Sequence, residues 1–149
     1  MNHVEKAEEL FRTGYNCAQA VFCAFTDVTG LELGTAARIA SSFGGGIGRM
    51  REVCGAVSGA LMVLGMEKGY SDVSDPAAKR EHYAMVQEFA RRFKDERGSI
   101  ICRELLENVK TSPGPVPEAR TSAYYDRRPC VWSVRTAAAL TDEFLQKEA

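Results

Sequence analysis

Apolar residues recur along this chain at a spacing close to 3.6, and alternation of apolar and polar residues with a period of two is almost absent. The segments with helical spacing are bounded by capping residues, with Asn16 and Asp75 at helix starts and Gly30 and Gly98 at helix ends. A half-buried strand requires the alternation that is missing here. The sequence therefore predicts an all-α protein with a single compact multi-helix domain over residues 1–149.

Seven helices are expected from this pattern, and one long loop separates the last two. They are a helix that ends at Gly14, helices near Cys17–Thr29, Thr35–Phe43 and Val53–Lys68, a helix from Pro76 to a stop at Gly98, a short helix within residues 98–109, and a last helix near Val131–Gln146. The helix from Cys17 is apolar around most of its circumference, which predicts a central position. The loop over residues 110–130 contains four prolines, so it cannot continue the helix before it. Loops of this length are usually functional or mobile.

Composition excludes several classes of function. The 149 residues carry a net charge of -1, so no basic surface for nucleic acid is expected. The N-terminus lacks the basic and then apolar segment of a secretion signal. The longest apolar run, from Val53 to Met66, is shorter than the roughly 18 residues that a membrane span needs. We expect a cytoplasmic protein without a membrane span, whose partner is a redox protein or a small molecule, and a homo-oligomer is compatible with the sequence.

Five cysteines are the most distinctive residues, because a cytoplasmic protein keeps thiols for metal binding or catalysis more often than for permanent disulfides. Four of them lie within about one turn of a predicted helix start: Cys17, Cys54, Cys102 and Cys130. Unpaired N–H groups and the helix dipole favour negative charge there, so we expect lowered thiol pKa values and thiolates that act as nucleophiles or metal ligands. Cys23 lies in mid-helix and is expected to be a packing residue.

A glycine-rich loop precedes Cys54 in the segment GGGIGRMREVCGAVSG. Four glycines of this loop can take a positive φ and turn successive N–H groups toward one anion: Gly44, Gly45, Gly46 and Gly48. Arg49 and Arg51 add positive charge, and Gly55 and Gly59, four residues apart, leave room for a helix or a cofactor to come close. The segment predicts a cofactor-binding or active-site loop around a charged sulfur, with Cys54 as the nucleophile if the protein is an enzyme.

The segment CGAVSG, from Cys54 to Gly59, matches the CGAxxG signature of a family described as redox-active and named for its C, GCAxxG, C, C cysteine pattern. Other landmarks resemble that family in order and spacing, namely GYNCAQAV around Cys17, GSIICRELL around Cys102 and the late Cys130. The resemblance covers nearly the whole chain. It implies that these four cysteines are the characteristic ones of the family, that the fifth cysteine is outside the set, and that the protein is redox-active.

Three functions remain open at this point. In the first, Cys17, Cys54, Cys102 and Cys130 converge on an iron–sulfur cluster or another thiophilic metal for electron transfer or redox chemistry. In the second, the protein is a metal-free thiol–disulfide oxidoreductase that uses Cys54 with a neighbouring resolving cysteine. In the third, the chain is a helical scaffold or oligomerisation module with passive cysteines. The roles of His82 and of the long loop stay open as well.

Overall fold

The structure, a computed structural model, describes residues 1–147, over which the chain is helical and forms no β-strand. In chain order the helices are α1 (His3–Arg12), α2 (Cys17–Ala24), α3 (Thr26–Thr29), α4 (Leu33–Ala40), α5 (Gly55–Lys68), α6 (Pro76–Arg97), α7 (Cys102–Leu105), α8 (Ser122–Arg127) and α9 (Cys130–Gln146). A 3-10 turn over Ser41–Phe43 extends α4. The prediction of an all-α fold is confirmed.

Helix α2 lies at the centre of the molecule, as its apolar circumference predicts. Six of its 8 residues are buried, among them Phe22 and Cys23, and α1, α4, α5 and α9 all pack against it. Asn16 begins the helix with a capping box: its side chain accepts from the N–H of Gln19 at 2.8 Å, and its own N–H donates to the Gln19 side chain at 3.0 Å. This cap fixes the position of Cys17, the first residue of α2.

The chain leaves the helical path after α2, where the sequence predicts one continuous helix to Thr29. Phe25 has φ -108° and ψ 25°, and the four-residue α3 begins after it. The break leaves Phe25 fully buried in the core. Gly30 then ends α3 in the left-handed conformation, with φ 75°, as its position predicts.

Helices α2, α5 and α9 pack against one another, and two glycines allow α5 to approach α2 closely. A Cβ atom at Gly59 would lie 2.5 Å from the carbonyl oxygen of Ala18, and one at Gly55 would lie 3.0 Å from the Ala18 nitrogen. The sequence left open whether a helix or a cofactor comes close to these glycines. Along this face of α5, the neighbours are the backbone of α2 and, at Gly55, the carbonyl oxygen of Phe43, 2.9 Å from the same Cβ position.

Helix α6 begins and ends as predicted. The Asp75 side chain accepts from the N–H of Ala78 at 3.0 Å, Pro76 is the first helical residue, and Gly98 ends the helix with φ 96°. His82 is half-buried on this helix, and the edge of its ring faces Tyr70 with the ring centres 5.9 Å apart.

The long loop contains a helix that the sequence did not predict. Thr121 caps α8 by accepting from the N–H of Tyr124 at 3.2 Å. The six residues of α8 lie between Pro117 and Pro129, so the long loop is irregular only before and after this helix. Over the described part of the chain, no helix combines the length and the apolar character that a membrane span requires.

Replacing Gly59 by alanine tests the contact between α2 and α5. The added methyl group would meet the Ala18 carbonyl oxygen at 2.5 Å, so we expect Gly59→Ala to lower the free energy of unfolding by about 1–3 kcal/mol. Gly65→Ala is the matched control on the same helix. Nothing lies within 4 Å of its added methyl group, and alanine is favoured over glycine inside a helix by about 0.5–1 kcal/mol. Chemical denaturation measures both variants, and equal stabilities would contradict the close contact.

Candidate functional site

The four cysteines that the sequence placed at helix starts line one cavity. Cys17, Cys102 and Cys130 are the first residues of α2, α7 and α9, and Cys54 immediately precedes α5. All four border a cavity of about 380 Å³. Cys23 is buried in the middle of α2 and does not border it. Four distant parts of the chain are thus brought together, and the fifth cysteine is separate from them, as predicted.

Backbone hydrogen bonds join the two segments that carry Cys54 and Cys102. The N–H of Cys54 donates to the carbonyl of Ile100 at 2.7 Å, and the N–H of Cys102 donates to the carbonyl of Glu52 at 2.6 Å. An isolated antiparallel bridge lies between these two bonds. The starts of α5 and α7 are therefore tied together by a short extended pairing, which a helical periodicity does not reveal.

The glycine-rich loop forms a left-handed turn. Positive φ angles occur at three of the four predicted glycines: Gly45 (64°), Gly46 (71°) and Gly48 (53°). The prediction is wrong for Gly44, whose φ is -70°. Glycine is required there for space, because a Cβ would lie 2.4 Å from the Asn16 side chain. Three residues other than glycine also have positive φ: Ile47, Arg49 and Arg51. Such a backbone is strained for these side chains, and strain of this kind concentrates at functional sites.

Two N–H groups of this loop are available to a ligand. The loop uses other N–H groups internally, since Gly48 donates to the carbonyl of Ser42 and Glu52 donates to the carbonyl of Gly46, both at 2.9 Å. Among residues 1–147, the N–H groups of Gly45 and Gly46 have no acceptor, and both glycines border the cavity. Within the predicted anion-binding loop, these two N–H groups are the donors that lie at the cavity without a partner in the described chain.

Two glycines bring the cysteines close to the backbone. A Cβ at Gly46 would lie 2.7 Å from the Cβ of Cys102, and one at Gly55 would lie 3.2 Å from the Cβ of Cys17. Gly48 has open space around the position of its missing Cβ. Gly46, Gly48 and Gly55 all border the cavity, and their predicted role in contacting a cofactor stays a prediction.

The two arginines of the loop have different surroundings. The guanidinium of Arg49 donates to the carbonyls of Gly114, at 2.6 Å, and of Val116, so it holds the long loop over the cavity. Nη1 of Arg51 lies 3.8 Å from the Sγ of Cys102, whereas its Nη2 is buried and has no hydrogen-bond partner in the described chain. A buried donor without an acceptor is costly. The cavity therefore lacks an acceptor for Arg51.

The long loop and α8 contribute charged groups that sequence reasoning missed. Arg128 is 7% exposed, donates to the carboxylate of Glu118 and has its Cζ 4.5 Å from the centre of the Tyr124 ring. All three of these residues border the cavity, and so does Arg120. Arg128 could have been identified from the sequence, because the segment RRPC places it two positions before Cys130. Arg120 could not, because only tertiary packing brings it to the cavity.

The ionisation of Cys130 depends on that of Cys17. The Cys17 thiol, as a hydrogen-bond donor, and the positive charges of Arg128 and Arg120 lower the pKa of Cys130 to about 7 against the opposing effect of burial. The same hydrogen bond, together with burial, raises the pKa of Cys17 well above its usual range. Of the two thiols, Cys130 is therefore the one that ionises first.

Burial has the largest effect on the pKa of the other two cysteines, Cys54 and Cys102. It raises the pKa of Cys54 to about 12, and it raises the pKa of Cys102, where the Arg51 guanidinium acts in the opposite direction. The prediction that a helix start lowers the thiol pKa is wrong at both positions because desolvation outweighs the free amides. It is also wrong at Cys17, which donates the shared hydrogen bond. Only Cys130 of the four has the lowered pKa, and the expected role of Cys54 as the nucleophile stays a prediction.

The donors around the cavity can be compared with those that a metal requires. Among residues 1–147, no group of three or more Cys, His, Asp or Glu side chains is arranged to hold a metal ion. A single ion therefore does not fit the thiols as they stand. An iron–sulfur cluster spreads its ligands around several metal atoms, and its sulfurs accept hydrogen bonds from nearby donors. Four thiols, two free amides and the Arg51 guanidinium are groups of the kind that such a cluster uses, and cluster binding stays a prediction.

Comparison with known protein families gives one finding. The family model described as "Putative redox-active protein (C_GCAxxG_C_C)" matches residues 15–144. The matched range includes Cys17, Cys54, Cys102 and Cys130, and it confirms the resemblance drawn from the cysteine pattern. Neither the comparison with curated proteins nor the comparison with solved structures found a match.

Alkylation by iodoacetamide over a series of pH values tests the distribution of charge among the thiols. Only the thiolate reacts, so we expect the rate at Cys130 to rise as pH increases through about 7 and then to level off, in line with its pKa. At neutral pH Cys54 should react far more slowly, because its pKa is about 12. Peptide mass spectrometry reports each rate. A Cys130 midpoint at the ordinary thiol value of about 8.5, or faster labelling of Cys54, would contradict the assignment.

Proposed function

We propose that this chain, which belongs to the C_GCAxxG_C_C family, exchanges thiols and disulfides in the four-cysteine cavity, with Cys130 as the attacking thiolate and Cys17 as the resolving thiol. The observation that carries this proposal is that the two sulfurs border one cavity together with Arg120 and Arg128, where the Cys17 thiol and these two positive charges lower the pKa of Cys130 to about 7. An attacking thiol is most effective when its pKa is close to the ambient pH. The pair supplies both a nucleophile and an adjacent partner for the disulfide.

The exchange transfers two electrons from the protein to a substrate disulfide. The Cys130 thiolate attacks one substrate sulfur, so the substrate S–S bond breaks, a mixed disulfide forms at Cys130, and the leaving thiolate takes a proton from water. Cys17 then attacks the Cys130 sulfur, so the bond between Cys130 and the substrate breaks and the Cys17–Cys130 disulfide forms. The leaving substrate sulfur takes the proton that Cys17 loses and departs as the second substrate thiol. The substrate is reduced to two thiols, and the protein pair is oxidised. A dithiol reductant returns it to the starting state.

Two expectations from the sequence fit the surroundings of the thiols less well. A nucleophilic Cys54 would need a thiolate, whereas burial holds its pKa at about 12. Passive cysteines on a scaffold would be buried thiols with raised pKa values, which is the state of Cys23. Cys130 differs from both, since a thiol donor and two arginines stabilise its negative charge.

Mapping the products of exchange tests the proposal. Reduced protein treated with 2-hydroxyethyl disulfide should lose two hydrogens and yield a Cys17–Cys130 disulfide, which peptide mass spectrometry locates. Cys17→Ser keeps a hydroxyl that can donate to Cys130 but cannot resolve, so a mixed disulfide should accumulate at Cys130. Cys23→Ala is the control, because Cys23 does not border the cavity, and it should behave as the unmodified protein. A mixed disulfide at Cys54, or no Cys130-dependent reaction, would contradict the proposal.

A second candidate function is favoured by the convergence of all four family cysteines on one cavity. Cys17, Cys54, Cys102 and Cys130 would hold an iron–sulfur cluster, which supplies one-electron transfer when it is bound. Arg51 would balance part of the negative charge of the cluster, and the free N–H groups of the glycine-rich loop would donate to its sulfurs. Thiol exchange uses two of the four cysteines, whereas this function uses all of them.

Cys54→Ser distinguishes the two candidates. Protein purified without oxygen is assayed for iron, for acid-labile sulfide and for visible absorption. If a cluster is bound, Cys54→Ser should remove most of the iron, whereas Cys23→Ala should retain it. If the protein acts by thiol exchange, Cys54→Ser should still form the Cys17–Cys130 disulfide, because Cys54 takes no part in that step. Colourless, iron-free protein that forms this disulfide would overturn the cluster.

A further inference from the structure

Two polar groups in the cavity lack the partners that buried polar groups normally have. Nη2 of Arg51 is buried without an acceptor, and so is the hydroxyl of Ser133, a residue that is 2% exposed. Both residues border the cavity, and so do Gly45 and Gly46 with their free N–H groups. Apart from the hydroxyl, which can also accept, these groups are all donors. They suit a ligand that accepts several hydrogen bonds at once.

The charge of the cavity wall has the sign that an anion requires. Four arginines and one glutamate border the cavity. The carboxylate of Glu118 accepts a hydrogen bond from Arg128, and Arg49 donates to carbonyls of the long loop. Arg51 is close to Cys102 but has no carboxylate partner among its contacts in the described chain. A planar guanidinium of this kind binds carboxylates through two parallel hydrogen bonds.

The size and cover of the cavity favour a small molecule over a protein. Its volume is about 380 Å³, which is within the usual range for small-ligand sites. Pro115, Pro117 and Glu118 of the long loop border it, and Arg49 holds this loop in place through the carbonyls of Gly114 and Val116. Cys17 and Cys130 are half-buried at this cavity, and the loop leaves less room there for a folded protein than for a small molecule.

From these observations we infer that the cavity binds a small molecule with a carboxylate group, and that Arg51 is the residue that recognises it. The second half of the inference rests on the proposed exchange: the substrate is a low-molecular-weight disulfide that carries a carboxylate. Its negative group lies against Arg51 and the N–H groups of Gly45 and Gly46, and its sulfurs lie toward Cys130. Electrons and atoms balance as in the exchange above, with this disulfide as the oxidant.

Three disulfides of similar length but different charge distinguish recognition of charge from recognition of shape. They are 3,3′-dithiodipropionate, which is a dianion, 2-hydroxyethyl disulfide, which is neutral, and cystamine, which is a dication. The second-order rate of Cys130 oxidation is measured with each, and the ratio of the dianion rate to the neutral rate is compared between variants. Because the ratio cancels changes in the reactivity of Cys130 itself, it reports recognition alone. Arg51→Gln should lower this ratio about tenfold or more.

Arg103→Gln is the matched control, because it removes one positive charge from a side chain that is exposed and does not border the cavity. It should leave the ratio within about twofold. Ser133→Ala provides a second, milder variant in a helix, where alanine is well tolerated, and it should lower the ratio less than Arg51→Gln does. Circular dichroism verifies that each variant is folded.

Binding of suberate gives a readout that needs no exchange. This dicarboxylate has the length of 3,3′-dithiodipropionate but no sulfur, and its binding to Cys130→Ser protein is measured by calorimetry. We expect binding that Arg51→Gln abolishes and Arg103→Gln retains. If suberate does not bind, or binds equally to the Arg51 variant, the inference is overturned even where exchange occurs. If suberate binding depends on Arg51 but no disulfide oxidises Cys130, the anion site is supported and the exchange function is the part that fails.

Discussion

The close approach of α5 to α2 is the contact on which the cysteine cavity depends. Gly59 lies against the carbonyl of Ala18, and Gly55 lies against Cys17 itself. Any side chain at these two positions would move the helices apart. Since Cys54 immediately precedes α5 and Cys17 begins α2, the same displacement would separate the two thiols. The CGAxxG signature therefore joins helix packing and the cysteine cavity in six residues, because its first glycine and its last make the contact that places its cysteine.

The balance between burial and local charge explains why the four thiols are not alike. A helix start stabilises a negative charge by about 0.3–1 kcal/mol, and by about 2 kcal/mol in favourable cases, whereas full burial shifts a pKa by up to about 3–5 units, or roughly 4–7 kcal/mol. Burial thus prevails at Cys54, whose pKa reaches about 12. Cys130 overcomes the same penalty through the hydrogen bond from Cys17 and the charges of Arg128 and Arg120. A single thiol with a lowered pKa, close to thiols that stay protonated, suits thiol exchange.

The parts of the structure that depend on neighbours in the sequence could be predicted from it. The caps at Asn16 and Asp75 and the stop at Gly98 are local signals, and each occurs where the sequence indicates it. The difference between four cysteines at helix starts and Cys23 in mid-helix was a local signal as well. These features depend on a few adjacent residues, whereas the convergence of the four cysteines on one cavity depends on tertiary packing.

The remaining features depend on contacts between distant segments. The extended pairing that joins the segments of Cys54 and Cys102 connects residues about 50 positions apart, and the break at Phe25 places that ring in the core. The thiol pKa values depend on desolvation and on Arg120, neither of which has a local signal. The glycine pattern predicted a positive φ at Gly44, whereas the absent side chain there makes space for Asn16.

Cross-linking with dibromobimane tests most directly whether the cysteines share one cavity, because its fluorescence appears only when both of its arms have alkylated neighbouring thiols. With native, reduced protein, the account predicts one intramolecular cross-link per molecule that joins Cys130 to Cys17, and no cross-link to Cys23. Fluorescence should be lost in Cys130→Ser. Products alkylated at single sites only, or a cross-link that includes Cys23, would contradict the arrangement from which the proposed chemistry is derived.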